Sequence, residues 1–132
     1  MIAIDTNVVV RFLVRDDKKQ SAAVYRRLKQ AERDRERLFI PLLVILETIW
    51  VLESAYDRSR GEILEAIEDM RRMSVFEFEK DEVAERFLSD GRKCRADLAD
   101  LLIARSSQSC GCETGITFDK AAAKLPFFSL LK

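Results

Sequence analysis

The sequence contains no histidine, only two prolines and four glycines, and no apolar run long enough to cross a membrane. Without histidine, Ser-His and Cys-His nucleophilic pairs and histidine-ligated metal sites are excluded. Any catalytic centre must therefore use carboxylates, lysine, hydroxyl groups or thiols. An excess of one charge is also missing, because 23 Lys and Arg residues balance 23 Asp and Glu residues. The net charge thus gives no indication of a nucleic-acid partner, although local patches can still provide one.

Cysteine is scarce as well, with Cys94, Cys110 and Cys112 as the only three. The start of the sequence has neither the basic nor the apolar region that is typical of a signal peptide. One residue separates Cys110 from Cys112, which is too short for an ordinary disulfide, and no second pair completes a zinc site. We therefore expect reduced, structural cysteines in a cytoplasmic protein.

What the sequence does contain is an alternation of short apolar segments with longer helical ones over 132 residues. Strands are predicted over residues 2–4, 38–40, 74–78, 115–118 and 127–130. Helices are predicted over residues 17–37, 42–56, 60–73, 81–91 and 97–109, with a short one starting at Asp119. Residues 8–14 fit either a helix or a strand, because they are rich in valine. This order predicts a single α/β domain over residues 1–132, with a central, mostly parallel sheet of four to five short strands flanked by helices on both faces.

Four acidic residues fall where apolar residues are expected. Asp5 and Asp119 follow predicted strands, at the edge of a parallel sheet where ligands commonly bind. Glu47 and Asp100 lie within predicted helices and have apolar neighbours three and four positions away. A carboxylate in apolar surroundings needs a compensating partner. Four such oxygen donors favour a shared hard cation, either magnesium or manganese.

Each of these acids also has a simpler explanation. Asp5 could form a local turn with the amide of Asn7, and Asp119 could cap a helix. Glu47 and Asp100 could instead pair with a buried lysine or arginine. Asp97 is an even better capping candidate, because it stands at the start of the helix predicted over residues 97–109.

Taken in order, these segments resemble the VapC-type toxins of the PIN-domain family. The resemblance rests on IDTN at 4–7, PLLVILE at 41–47, ADLLIA at 99–104 and TFD at 117–119, and it covers nearly the whole chain. It implies a metal-dependent ribonuclease that hydrolyses RNA phosphodiester bonds with one or two Mg²⁺ or Mn²⁺ ions. The family's catalytic, metal-binding acids correspond to Asp5, Glu47, Asp100 and Asp119, with Asp97 as the rival of Asp100. Its supporting polar positions correspond to Asn7 and Thr117.

The same resemblance implies a VapB-like antitoxin, a homodimer, a cytoplasmic location and no membrane association. An exposed apolar strip near Val8, Val9 and Phe12 is a candidate groove for a helix of the antitoxin. Trp50 and Tyr56 are expected in the core or in a dimer contact rather than stacked on bases. The alternative function is a catalytically idle PIN fold that binds RNA or protein without turnover.

Two groups of basic residues are candidates for contacts with RNA phosphates. One group follows Asp5 along the chain, and the other precedes Asp97. The candidates are Arg11, Arg15, Lys18 and Lys19 in the first group, and Arg92, Lys93 and Arg95 in the second. Each group is equally compatible with an ordinary solvated surface, since charged residues are mostly exposed.

Overall fold

A computed structural model describes all 132 residues, and the chain divides into two compact units, residues 1–79 and residues 80–132. We call these unit 1 and unit 2. In chain order, unit 1 contains β1 (Ile2–Ala3), α1 (Thr6–Leu13), α2 (Lys18–Asp34), β2 (Leu38–Ile40), α3 (Leu42–Ser54), α4 (Arg60–Arg71) and β3 (Phe76–Phe78). None of the helices in either unit is long and apolar enough to span a membrane.

The three strands of unit 1 form a parallel sheet with β2 in the middle. On this central strand, Leu38 pairs with Ile2 on one side and with Phe76 on the other. Two helices separate each strand from the next along the chain, which provides the long crossover that parallel strands require. Leu38 and Ile40 are buried, so the central strand contributes directly to the core of this unit.

The segment that could be helix or strand forms helix α1. Oδ1 of Asp5 accepts a hydrogen bond from the backbone N–H of Val8 at 3.1 Å, which caps the first turn. Val9 and Val10 are buried, whereas Val8 and Phe12 are half-buried. Capping and burial therefore override the strand preference of the consecutive valines. The expected exposed strip is correspondingly narrower, because Val9 belongs to the core.

Helix α3 exposes part of its apolar sequence. Val44, Ile45, Thr48, Ile49 and Leu52 are buried. By contrast, Leu43 and Trp50 keep 74% and 67% of their surface exposed. A core position for Trp50 is therefore wrong, and its role as a dimer contact stays a prediction.

The second aromatic residue of that pair, Tyr56, has polar partners. It is half-buried, its hydroxyl donates to Oδ2 of Asp16 at 3.0 Å, and it accepts a hydrogen bond from Arg11 at 3.1 Å. These bonds orient the Tyr56 hydroxyl, and a role for Tyr56 in the core or in a dimer contact stays a prediction.

Unit 2 contains two longer helices and two short parallel strands. Its elements are α5 (Asp81–Gly91), α6 (Leu98–Ser109), β4 (Gly115–Thr117), a 3₁₀ helix (Ala122–Lys124) and β5 (Phe128–Leu130). Helices α5 and α6 each contribute fully buried residues, among them Phe87 and Leu101. Nε of Arg105 on α6 donates a hydrogen bond to Oδ2 of Asp90 on α5 at 2.6 Å. An ion pair therefore joins these two helices in addition to their apolar packing.

The α/β class and the parallel strands are confirmed, and the five strands are distributed over two hydrogen-bonded sheets. The helix predicted over residues 17–37 ends at Asp34, because Arg35 adopts a left-handed conformation with a φ of 54°. The strand predicted over 74–78 begins only at Phe76, whose N–H closes a turn on the carbonyl of Met73. The single domain over residues 1–132 stays a prediction.

Candidate active site

Helix α6 begins with two acidic residues that have different partners. Asp97 precedes the helix, and its Oδ1 accepts a hydrogen bond from the backbone N–H of Asp100 at 3.1 Å. This is the capping role that its position in the sequence favours. The carboxylate of Asp100 receives no hydrogen bond and forms no ion pair. The two acids are therefore locally distinct, although both stand at the start of one helix.

The electrostatic surroundings of Asp100 disfavour its negative charge. Partial burial raises the pKa of this carboxyl above its ordinary value. Repulsion by the carboxylates of Asp97 and Asp119 raises the pKa further. A desolvated acid that faces two like charges and lacks a donor is stabilised by a proton or by a cation. Asp100 is therefore the strongest candidate for a metal ligand in unit 2.

Asp119 follows strand β4 and is held by the backbone around it. Its Oδ1 accepts hydrogen bonds from the N–H groups of Ala121 and Ala122, at 2.8 and 3.5 Å. This oxygen closes a local turn, and the capping explanation is wrong in detail, because the cap residue of the following 3₁₀ helix is Ala121 and no side chain caps it. Oγ1 of Thr117 accepts a hydrogen bond from the N–H of Asp119 at 3.0 Å, which restrains the residue from its other side. These bonds orient an exposed carboxylate, and its Oδ2 takes no part in the turn.

In unit 1, Asp5 also combines an exposed carboxylate with a capping bond. Because this carboxylate is exposed to solvent, it needs no compensating charge, contrary to our expectation. The suggested turn to Asn7 is wrong in detail, because the N–H that Asp5 binds is that of Val8. Asn7 is itself exposed, and its side chain forms no hydrogen bond. A supporting role for Asn7 stays a prediction.

Glu47 is held by a residue that the sequence did not single out. Its Oε1 accepts a hydrogen bond from Oγ1 of Thr6 at 2.9 Å. Glu47 is exposed, so the expectation of a buried apolar face around it is wrong. Of its apolar neighbours, Leu43 and Trp50 are exposed as well, whereas Val44 is buried and Val51 is half-buried, so Glu47 borders the buried side of α3. The only sequence signal for Thr6 is its position directly after Asp5.

The structure brings some of the predicted site residues together. Within unit 2, the carboxylates of Asp97 and Asp119 lie close enough to Asp100 to repel its charge. Within unit 1, the predicted residue Glu47 accepts a hydrogen bond from Thr6, which was not predicted. No group of three or more Asp, Glu or Cys side chains is arranged to hold a metal ion. The donor chemistry nevertheless fits a hard divalent cation, because every candidate ligand is a carboxylate and Asp100 lacks a protein partner.

The basic residues proposed to bind RNA differ in their partners. Arg11 forms an ion pair with Asp16 at 3.2 Å and donates hydrogen bonds to Gln20 and Tyr56. The other six are exposed and form no ion pair, namely Arg15, Lys18, Lys19, Arg92, Lys93 and Arg95. Arg11 is therefore less available for phosphate than those six.

The capping role of Asp97 leads to a prediction about stability. Asp97→Ala removes the acceptor for the Asp100 N–H and should lower the free energy of unfolding by about 1 kcal/mol. Asp97→Asn should keep most of the stability, because asparagine caps a helix nearly as well as aspartate. Urea unfolding of both variants measures the difference. Since both substitutions remove the same charge, equal losses would show that capping is not the cause.

Comparison with known proteins extends over both units. Residues 2–128 match the model of the family described as PIN domain. A curated relative, the VapC ribonuclease of Aquifex aeolicus (strain VF5), is 24% identical over 127 residues, which cover 96% of this chain and 93% of that protein. The resemblance that the four sequence segments carry is therefore confirmed, and the chain belongs to the PIN domain family.

Proposed function

We propose that this chain is a metal-dependent endoribonuclease that hydrolyses RNA phosphodiester bonds as the toxin of a VapBC-type pair. Membership of the PIN domain family and the name of the relative, VapC ribonuclease, support the nuclease class. One observation carries the metal requirement. The half-buried carboxylate of Asp100 has no donor and is repelled by Asp97 and Asp119. The absence of histidine leaves acids as the natural groups for this chemistry.

In this proposal, Asp5 and Asp100 are direct ligands of a Mg²⁺ or Mn²⁺ ion. The site holds one or two such ions. Glu47 and Asp119 complete the ligand set or orient the attacking water. When bound, such an ion activates water and neutralises charge on the phosphoryl oxygens. No histidine is needed for either effect.

The chain itself holds several of the proposed ligand carboxylates in place before an ion binds. Asp5 and Asp119 are each held through Oδ1 by backbone N–H groups, so their side chains are ordered without a ligand. Glu47 is ordered by the hydroxyl of Thr6. Acids that are already oriented lose less conformational entropy when they bind an ion or position a water molecule. Thr6 and Thr117 are accordingly positioning residues in the proposed site.

Metal should stabilise the protein against heat. At a Mn²⁺ concentration tenfold above the dissociation constant, linkage gives about 1.4 kcal/mol, which corresponds to a rise in Tm of roughly 5 °C. Asp100→Asn should raise the Tm of the metal-free protein, because it removes the repelled charge, and should abolish the response to Mn²⁺. Thermal unfolding with EDTA or with Mn²⁺ tests both effects. An unchanged Tm of the wild-type chain in millimolar Mn²⁺ would refute the metal proposal.

Asp100 should make the stability of the metal-free protein depend on pH. Because the pKa of Asp100 is raised in the folded state, the folded chain binds this proton more tightly than the unfolded chain does. The stabilisation from this proton is fully present below the unfolded pKa and is lost as the pH rises through the folded pKa. Acid should therefore stabilise the metal-free chain through Asp100 and weaken its Mn²⁺ response. In Asp100→Asn, this contribution to the pH dependence should disappear.

An apolar groove of unit 1 suits the proposed antitoxin. It has a volume of about 250 Å³, and the residues that line it include Ile4, Val8, Phe12, Ala23, Val24 and Phe76. Phe12 contacts Phe76 edge to face, with ring centroids 5.5 Å apart. A groove of this kind accepts the apolar side of an amphipathic helix. We propose that a VapB-like antitoxin places such a helix here and presents Arg or Lys to the acids.

The remaining parts of the proposal concern assembly and location. Leu43 and Trp50 form an exposed apolar pair on α3 that suits a homodimer contact. A cytoplasmic location is part of the same proposal, since the proposed RNA substrate and antitoxin are cytoplasmic molecules. The exposed basic residues of the two groups are the proposed phosphate contacts.

A further inference from the structure

A cluster of nucleophilic and cationic side chains lies at the end of α6. Cys110 and Cys112 are both exposed, so packing does not account for them and a structural role for these two cysteines is wrong. Nζ of Lys80 lies 3.1 Å from Sγ of Cys110 and 3.4 Å from Oγ of Ser109. The cluster therefore consists of two accessible thiols, one of which contacts an ammonium group.

Two opposing effects act on the Cys110 thiol. Cys110 is the C-cap residue of α6, where the partial negative charge of the helix end disfavours a thiolate. The full positive charge of Lys80 is in direct contact with the sulfur and stabilises the thiolate. The contact is the stronger effect. The hydrogen bond from Lys80 is the largest effect, and it lowers the pKa of Cys110 below its ordinary value.

The backbone brings the second thiol onto the same turn. The N–H groups of Cys110 and Cys112 both bind the carbonyl of Ser107, at 3.0 and 3.1 Å. Gly111 between them has a φ of 95°, which glycine adopts without the strain that other residues incur. The two cysteines therefore flank one tight, hydrogen-bonded turn.

We propose that Cys110 is a peroxide-sensitive thiolate and that Cys112 is its resolving thiol. The Cys110 sulfur attacks one oxygen of a hydroperoxide, so that an S–O bond forms and the O–O bond breaks. Sulfur loses two electrons, and the leaving hydroxide or alkoxide takes up a proton. The Cys112 thiolate then attacks the Cys110 sulfur, so that the S–S bond forms and the S–O bond breaks. The leaving hydroxide takes up a proton and becomes water. A dithiol restores both thiols by exchange.

The short spacing gives this disulfide a particular character. Closing it across a single residue departs from relaxed disulfide geometry, and strained disulfides are more easily reduced. It is therefore suited to reversible oxidation rather than to permanent stabilisation of the fold. The Cys-Gly-Cys sequence can therefore form a disulfide that does not serve to stabilise the fold.

Mass spectrometry of the full chain, treated with hydrogen peroxide in EDTA, tests the proposal. The wild-type chain should lose two hydrogen atoms through a link between Cys110 and Cys112. In Cys112→Ser, dimedone should trap a sulfenic acid on Cys110, while half-buried Cys94 remains a thiol in both proteins. Linked chains on a non-reducing gel, or an adduct mainly on Cys94, would overturn the proposal.

Variants of Lys80 test the activating contact. In a Cys112→Ser background, Lys80→Met should slow alkylation of Cys110 at neutral pH by about threefold, whereas Lys80→Arg keeps the charge and most of the rate. An unchanged rate in a folded Lys80→Met variant would overturn the role of Lys80. If that variant does not fold, the alkylation rate of each thiol is measured against pH. Cys110 in Cys112→Ser should reach half of its maximal rate at a lower pH than Cys112 does in Cys110→Ser. The reverse order would refute the activation of Cys110.

Discussion

Replacing Asp100 with asparagine should abolish RNA cleavage while the fold remains intact. Asparagine is nearly isosteric but cannot supply the negative charge that a divalent ion requires. We expect cleavage of labelled RNA in Mn²⁺ to fall by at least about 100-fold, together with a sharp loss of metal affinity. Calorimetric Mn²⁺ binding and a cleavage assay measure the two effects. Circular dichroism of the variant verifies that folding is preserved.

Asp97→Asn is the matched control, because it makes the same substitution one turn away. Its side chain still accepts a hydrogen bond from the Asp100 N–H, so most of the activity should remain. If Asp97→Asn is the inactive variant, the ligand assignment moves to Asp97. A wild-type chain that binds RNA without cutting it would instead support the idle binding module. Hydrolysis of a small phosphate ester but not of RNA would contradict the ribonuclease proposal.

A negative charge in the apolar groove should prevent neutralisation by the antitoxin. Ala23 lines the groove but is exposed on α2, so Ala23→Glu should leave the fold intact. Covering its carboxylate with an apolar helix costs about 1–3 kcal/mol, which corresponds to a loss of affinity of about 5- to 150-fold. Growth on co-expression with the small neighbouring gene product measures the effect. The variant should remain toxic in the presence of the partner, whereas the wild-type chain should be neutralised.

Ala22→Glu is the control for this experiment, since it places the same residue on the same helix outside the groove. It should behave like the wild-type chain. Equal neutralisation of both variants would exclude this groove as the antitoxin site, without bearing on the nuclease activity. If the wild-type chain is harmless without any partner, the toxin assignment itself fails.

Features that depend on neighbouring residues were predictable from the sequence. Ser59 and Glu62, three residues apart, form a capping box at the start of α4, in which Oγ of Ser59 accepts from the Glu62 N–H and Oε1 of Glu62 accepts from the Ser59 N–H. The distinction between Asp97 and Asp100 follows equally from the local geometry of a helix start. In these cases the partners are a few residues apart, so one helical turn determines the contact.

Features that depend on distant packing were not predictable. The hydrogen bond between Thr6 and Glu47 joins residues 41 positions apart, and no local pattern contains it. The apolar residues around Glu47 suggested a buried face, because periodicity shows that one side of a helix is apolar but not whether another element covers it. Leu43 and Trp50 are exposed for that reason. Residues 8–14 were ambiguous because capping by Asp5 and burial decided against their strand propensity.

The hydrogen bonds that Asp5 and Asp119 accept from the backbone have a consequence for how this protein can evolve. Asp5 and Asp119 use one oxygen to start a helix or turn, and asparagine can accept the same hydrogen bond. A single base change converts an aspartate codon into an asparagine codon. Under the proposed function, one such mutation silences the nuclease and leaves the chain folded with its groove intact. The descendant is an inert binder that still occupies the antitoxin, so only a short evolutionary step separates a toxin from a decoy.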